Sequence, residues 1–130
     1  MTLSVVIPAY NEENYVGACL RRCVAFAPKN LREIIVVNNA STDGTERVAR
    51  SFPGVRVLRE PRKGTGFARH RGLESATGDL VVCLDADMRI QDGWFSAIER
   101  AFKDDPSLVS LSGPSRYYDL PPWLSRFLYL

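Results

Sequence analysis

The chain has one histidine and three cysteines, and their spacing does not make a zinc site of mixed Cys and His ligands. The cysteine count is odd, and Cys19, Cys23 and Cys83 each lie inside an apolar pattern. They read as reduced core thiols in a cytosolic setting rather than as a disulfide framework. No stretch reaches the ~18 apolar residues of a membrane-spanning helix. The first residues, MTLSVVIP, carry neither a basic leader nor a long apolar core, so a signal peptide is not expected there. Net charge is only +2, too small to argue for nucleic acid as a partner. No internal repeat and no low-complexity segment is found. What remains is an ordinary soluble composition, 45% hydrophobic and 25% charged over 130 residues, enough for one domain with a real core.

Short apolar runs alternate with helical patterns. Residues 3–7 form a β-branched run that Pro8 is expected to end. Asn11 can cap a helix over residues 13–26, with Glu12 and Glu13 in its first turn, where the helix dipole favours acids. Val16, Cys19, Leu20 and Cys23 recur on one face, and Pro28 and Asn30 break the pattern. A second strand, EIIVV (33–37), runs into the turn cluster NNASTDG (38–44), where Ser41 and Asp43 look like caps of a helix over 45–51. Pro53 and Gly54 turn the chain into a strand at 55–58. A basic, glycine-rich loop at 61–66 precedes a helix over 67–76. The run 79–84 is a fourth strand. Asp92 and Gly93 start another helix, with Trp94, Phe95, Ile98, Ala101 and Phe102 on one face, and 108–111 is a fifth strand candidate.

Uniformly apolar strands alternating with helices predict an α/β fold, a Rossmann-like, mainly parallel sheet flanked by helices on both faces. In such sheets ligands bind beyond the carboxyl ends of the strands. That rule gathers residues 8–12, 38–43, 62–66 and 85–87 at one edge.

The segment LVVCLDAD (80–87) delivers two carboxylates, Asp85 and Asp87, to that edge. Along an extended backbone they point the same way, about 6.5 Å apart. Two such charges repel by about 2.5 kcal/mol at an effective dielectric near 20. A divalent cation reverses that sign, and carboxylate oxygens suit Mg²⁺ or Mn²⁺, which share their remaining positions with water and phosphate. A lone D-x-D is also a common turn, with Asp85 as a cap and Asp87 solvated. The loop REPRKGTGFARHR (59–71) has five Lys or Arg among its thirteen residues. Gly64 and Gly66 let backbone approach a ligand, and the following helix points its N-terminus at it, an arrangement suited to a diphosphate. A solvated surface loop has the same composition. It is not a Walker loop, since the G-x-x-x-x-G-K-[ST] order is absent. The Asn38–Asn39 amides can read a nucleobase edge or simply build the turn. Tyr10 can cover a base or ribose, or pack.

The blocks VVIPAYNEENYV, EIIVVNNASTDGT and GFARHRGLESATGDLVVCLDAD, in that order, resemble the nucleotide-binding half of a family 2 glycosyltransferase of GT-A fold. The resemblance covers residues 3–112, nearly the whole chain. It implies a nucleotide-sugar donor (UDP- or GDP-sugar), held with Mg²⁺ or Mn²⁺, and transfer with inversion to a glycan, lipid or other hydroxyl acceptor. By matching position, Pro8, Tyr10 and Glu12 line the base and ribose pocket, Asn39 takes the place of an aspartate that reads the base, and Asp85 lies near ribose and sugar. Asp87, with Asp85, binds the metal, and Arg69 contacts phosphate or sugar. Two departures stand out: Asn38-Asn39-Ala40 replaces the frequent Asp-Asp-Gly, and His70 replaces an asparagine.

Members of that family usually continue well past this length into an acceptor half that carries the catalytic base, an Asp or Glu. The expectation is therefore a truncated member: a nucleotide-sugar-binding domain over 1–112, then a segment 113–130 that begins the acceptor side or a membrane-associated element, with the base beyond Leu130. The apolar pattern from Pro121 to Leu130 suits an interfacial or spanning helix at the cytoplasmic membrane face as well as a core helix. A binding module without transfer is the alternative. A phosphoacceptor receiver domain ranks low because its third strand would need to end in an aspartate, and here it ends at Leu58-Arg59. Against a sugar nucleotidyltransferase stands its glycine-rich loop, which should follow the first strand, where Pro8-Ala-Tyr-Asn-Glu stands.

Overall fold

The computed structural model of the chain describes residues 1–114. Four strands and four helices alternate: β1 (Leu3–Ala9), α1 (Val16–Ala25), β2 (Leu31–Asn38), α2 (Thr45–Arg50), β3 (Val55–Arg59), α3 (Thr65–Ser75), β4 (Leu80–Cys83) and α4 (Trp94–Asp104). The strands form one sheet in the order β3-β2-β1-β4, and every pairing is parallel. The expected Rossmann-like α/β sheet is what the chain forms. Residues 1–97 make one compact unit; from Ile98 the chain belongs to a second.

The order of the strands explains which face each helix takes. The chain first steps outward from β1 to β2 to β3, then returns across the sheet to the far side of β1. Parallel crossovers are right-handed, so reversing the direction of travel moves the connecting helix to the opposite face. Val6, Ile35 and Val37 form a buried cluster with Ala68 of α3. The contact is close because of Gly72: a Cβ there would lie 2.2 Å from Val6 Cγ1. The other face, carrying Ile34, Val36 and Asn38, receives α2, on which α1 packs. There Glu46 of α2 accepts from Asn38 Nδ2 at 2.8 Å and pairs with Arg59 at 2.8 Å.

Several boundaries differ from expectation. Pro8 does not end β1, which is buried along its whole length to Ala9. The even-numbered β1 residues turn their main chain toward β4, as Leu84 N donating to Val6 O shows. β4 pairing stops at Val6, so the N–H that Pro8 lacks has no partner there to lose. Helix α1 starts at Val16 rather than at residue 13, and Asn11 does not cap it. Asn11 instead has a positive φ of 51° and accepts from Thr42 N at 2.8 Å. Glu13 accepts from Gly44 N at 2.7 Å. Both residues link two loops instead of opening a helix. Asp43 does accept from Thr45 N at 3.0 Å, whereas the Ser41 hydroxyl accepts from Asn11 N at 3.0 Å and is no cap.

Cys19 and Cys23 are buried, as expected, but Cys83 is exposed. It lies on β4, which pairs only with β1 among the described residues. Residues 108–111 form no strand: Val109 is 94% exposed, with no neighbouring strand to pair with among the described residues. No helix among the described residues is long and apolar enough to cross a membrane. The segment from residue 115, with the apolar pattern that begins at Pro121, lies outside the described residues.

Candidate functional site

The sheet changes direction between β1 and β4, and a crevice opens outside the carboxyl ends of those strands, as this topology dictates. It holds a cavity of about 500 Å³, and Pro8, Tyr10, Glu12, Asn39, Arg69, Asp85 and Asp87 all line it. The seven residues singled out from sequence thus come together, although they are spread over 80 positions. Ala9, Thr65, Ala68 and Ala86 complete the wall. They are small side chains whose only sequence signal is their place beside the motifs.

The strand that carries the acid pair ends at Cys83, earlier than expected. Beyond it Leu84 and Ala86 are buried while Asp85 and Asp87 are exposed, so the alternation persists for four residues. The backbone is already turning: Met88 N donates to Asp85 O at 3.0 Å. Asp85 and Asp87 therefore project from a turn, not from an extended strand. Helix α1 supports this turn from beneath. A hydrogen bond with Cys23, and then burial, push the Cys19 thiol up, and it donates to the Asp85 carbonyl at 3.7 Å.

Charge at the cavity is unevenly compensated. Arg69 Nη2 lies 2.7 Å from Asp85 Oδ1, so Arg69 pairs with one of the two acids. Glu12 has its carboxyl raised above the ordinary range by burial, then by Asp87, Asp43 and Asp85. Three carboxylates thus face one crevice and repel. Among the described residues no group of three acids, histidines or cysteines could hold a metal ion by itself. Asp85 and Asp87 offer hard oxygen donors to an ion that fills its remaining positions from water or a ligand phosphate, which is how Mg²⁺ usually binds. The residues fit such an ion.

The basic loop borders the same cavity. Gly64 has a φ of 139°, open to glycine and strained for other residues, and it precedes α3, whose first residue Thr65 reaches the cavity wall. Lys63 Nζ sits 5.8 Å from the centroid of the Tyr10 ring, which is 47% exposed. Arg62 stacks over Phe67 at 4.7 Å. Two features were not read from sequence. Glu60 is only 3% exposed, and hydrogen bonds from the Arg62 side chain hold its carboxyl at about 2. The signal was present as an acid two residues before an arginine. Asn39, 4% exposed, spends its amide on the main chain of this loop and not on open space.

The profile of glycosyl transferase family 2 matches residues 4–127. An uncharacterized glycosyltransferase of Escherichia coli, YibD, is 34% identical over 108 residues, 79% of this chain and 31% of its own length. Glucosyl-3-phosphoglycerate synthase from Mycobacterium tuberculosis, solved with Mn²⁺, UDP and phosphoglyceric acid, is 33% identical. It superposes with a TM-score of 0.64 over 74% of this chain and 36% of that one. S. aureus TarS 1-349, solved with UDP-GlcNAc, reaches a TM-score of 0.75 at 23% identity over 92% of this chain and 39% of that one, a likeness of fold. The chain spans about a third of the length of the curated relatives it matches.

Proposed function

The chain belongs to glycosyl transferase family 2, and from that premise we propose that its cavity holds a nucleotide-sugar donor, UDP- or GDP-linked, for transfer to a hydroxyl acceptor. One observation carries the reading: two carboxylates, a basic loop and a helix N-terminus meet at the switch point of a parallel sheet, in a cavity of about 500 Å³. Pro8, Tyr10 and Glu12 line the base and ribose side. Arg69 and Asp85 hold the sugar and phosphate side as a pair. Asp87, helped by Asp85, holds Mg²⁺ or Mn²⁺. When bound, that ion neutralises the diphosphate as it leaves. The Mn²⁺ and UDP in the M. tuberculosis synthase support this assignment.

The reaction class is an in-line displacement at the anomeric carbon. The acceptor oxygen attacks opposite the diphosphate, forming the new bond as the bond to the diphosphate breaks, which inverts the configuration, and a base takes the acceptor proton. The acceptor is a glycan, a lipid or another hydroxyl compound. The unpaired thiols Cys19, Cys23 and Cys83 suit a cytoplasmic setting.

The test is a thermal-shift panel of UDP- and GDP-sugars with and without Mn²⁺. A donor at 100 times its Kd should add about 2.7 kcal/mol of stability, and several degrees of Tm, only when the metal is present. Asp87→Ala should abolish the shift; a shift of unchanged size in that variant sinks the metal assignment. A transfer or donor-hydrolysis assay then separates a transferase from a module that binds without turnover.

A further inference from the structure

Asn39 stands where the family resemblance expects a side chain that reads the base. Its amide is occupied elsewhere. Nδ2 donates to the carbonyls of Glu60 at 3.1 Å and Arg62 at 2.7 Å, and Oδ1 accepts from Gly64 N at 2.9 Å. An amide nitrogen has two hydrogens, and both are used. The pattern also fixes which end is nitrogen, since two acceptors face one atom and an N–H faces the other. All three partners are main-chain groups of the single loop that leaves β3 and enters α3. The loop has a second brace beside this one. Glu60 N donates to Asn38 O at 3.0 Å, and the Glu60 carboxylate accepts from Arg62 N, Nε and Nη2, each at 2.9 Å.

We propose that Asn39 is a positioning residue. Its amide clamps the main chain of residues 60–64 and so sets Lys63 and the N-terminus of α3 at the cavity edge, and it does not select the base. The proposal rests on reading the cavity as a donor site. The chemistry calls for an amide. A carboxylate at this position could accept from Gly64, but it could not donate to the two carbonyls and would set a negative charge against their oxygens. The replacement of Asp by Asn at residue 39 is then a requirement of this loop and not a change of base preference.

The test uses the full chain. In the unmutated protein without nucleotide, NMR should show slow solvent exchange of the Asn39 Nδ2 protons and of the Gly64 N–H; fast exchange of both overturns the clamp without any variant. In Asn39→Asp, exchange across residues 60–66 should quicken by about tenfold or more, the loss of two hydrogen bonds. Affinities for UDP and GDP, each with Mn²⁺, should fall by one common factor, leaving their ratio unchanged. A changed ratio means that Asn39 reads the base and refutes the proposal, as do unaltered loop exchange or unaltered affinities. Lys63→Ala should weaken nucleotide binding in the wild type and cost little more in Asn39→Asp, because the clamp acts through the placement of Lys63; full additivity counts against it. If the wild type binds no nucleotide, the donor reading fails, and the clamp is judged on exchange alone.

Discussion

At the amino ends of β2 and β4, Glu33 and Asp79 are tied down by hydrogen bonds; at the carboxyl ends of β1 and β4, Glu12, Asp85 and Asp87 face one crevice together. Glu33 accepts from Ser4 Oγ at 2.8 Å, Thr77 N at 2.7 Å, Thr77 Oγ1 at 2.9 Å and Arg56 Nη1 at 2.8 Å. Burial pushes its carboxyl up, but those hydrogen bonds win and hold it at about 2. Asp79, bonded by the Thr2 N–H and hydroxyl, is lowered as well. Glu12, at the other end, is raised by burial and by three neighbouring acids. Glu33 and Asp79 stitch the strand starts together, while at the crevice Asp87 and Asp85 add to the burial that raises Glu12. Acids whose surroundings disfavour their charge are the ones to examine for binding.

The contrast can be broken most strongly at the amino end. Glu33→Ala strips four donors of their acceptor, one of them on Ser4, which is fully buried. It should cost about 3 kcal/mol in urea unfolding. The nucleotide-dependent thermal shift should survive, since the cavity lies at the other end; loss of that shift would show that the two ends are not separable.

Acid titration gives a smaller, graded effect. Glu33, Glu46 and Glu60 are each held at about 2 against an ordinary value of 4.5. A lowered folded-state value adds stability that is complete above the ordinary value and disappears as pH falls through the folded one. The midpoint of unfolding should therefore drop between about pH 4.5 and 2. Glu33→Gln should make that decline shallower, and an equally steep decline would remove Glu33 from the account.

The smallest effect is expected at Ala40, which adopts a left-handed φ of 56° between the Asn pair and the α2 turn. A Cβ in that conformation costs about 1–2 kcal/mol, part of which glycine returns as unfolded-chain entropy. Ala40→Gly should stabilise the chain by up to about 1 kcal/mol in the same urea assay. A destabilised variant would mean that the methyl group packs usefully.

Much of this protein is legible in its sequence because its signals are local. Apolar β-branched runs at Leu3–Ala9 and Leu31–Asn38 make buried strands wherever they are placed in a parallel sheet. Glycine at residue 64 marks a backbone conformation that other residues adopt only with strain. The rule that ligands bind beyond the carboxyl ends of parallel strands gathers residues 8–12, 38–43, 62–66 and 85–87 at one edge from sequence alone. Asn11, Glu13 and Ser41 look like helix caps and a first-turn acid beside their sequence neighbours, yet their hydrogen-bond partners lie about 30 residues away. Residues 108–111 look like a strand locally, but strands need a neighbour to pair with.

The sequence by itself determined the alternation of strands and helices, the polarity of each segment and the set of residues at the strand ends, because side-chain periodicity and turn chemistry act over a few residues. Tertiary structure alone decided what those residues do with their polar atoms. It tied Asp85 to Arg69, turned the acid pair out of the strand, and spent the Asn39 amide on a loop more than twenty residues ahead. Hydrogen-bond partners are chosen by distance in space, and the crossing of the chain behind the sheet sets that distance.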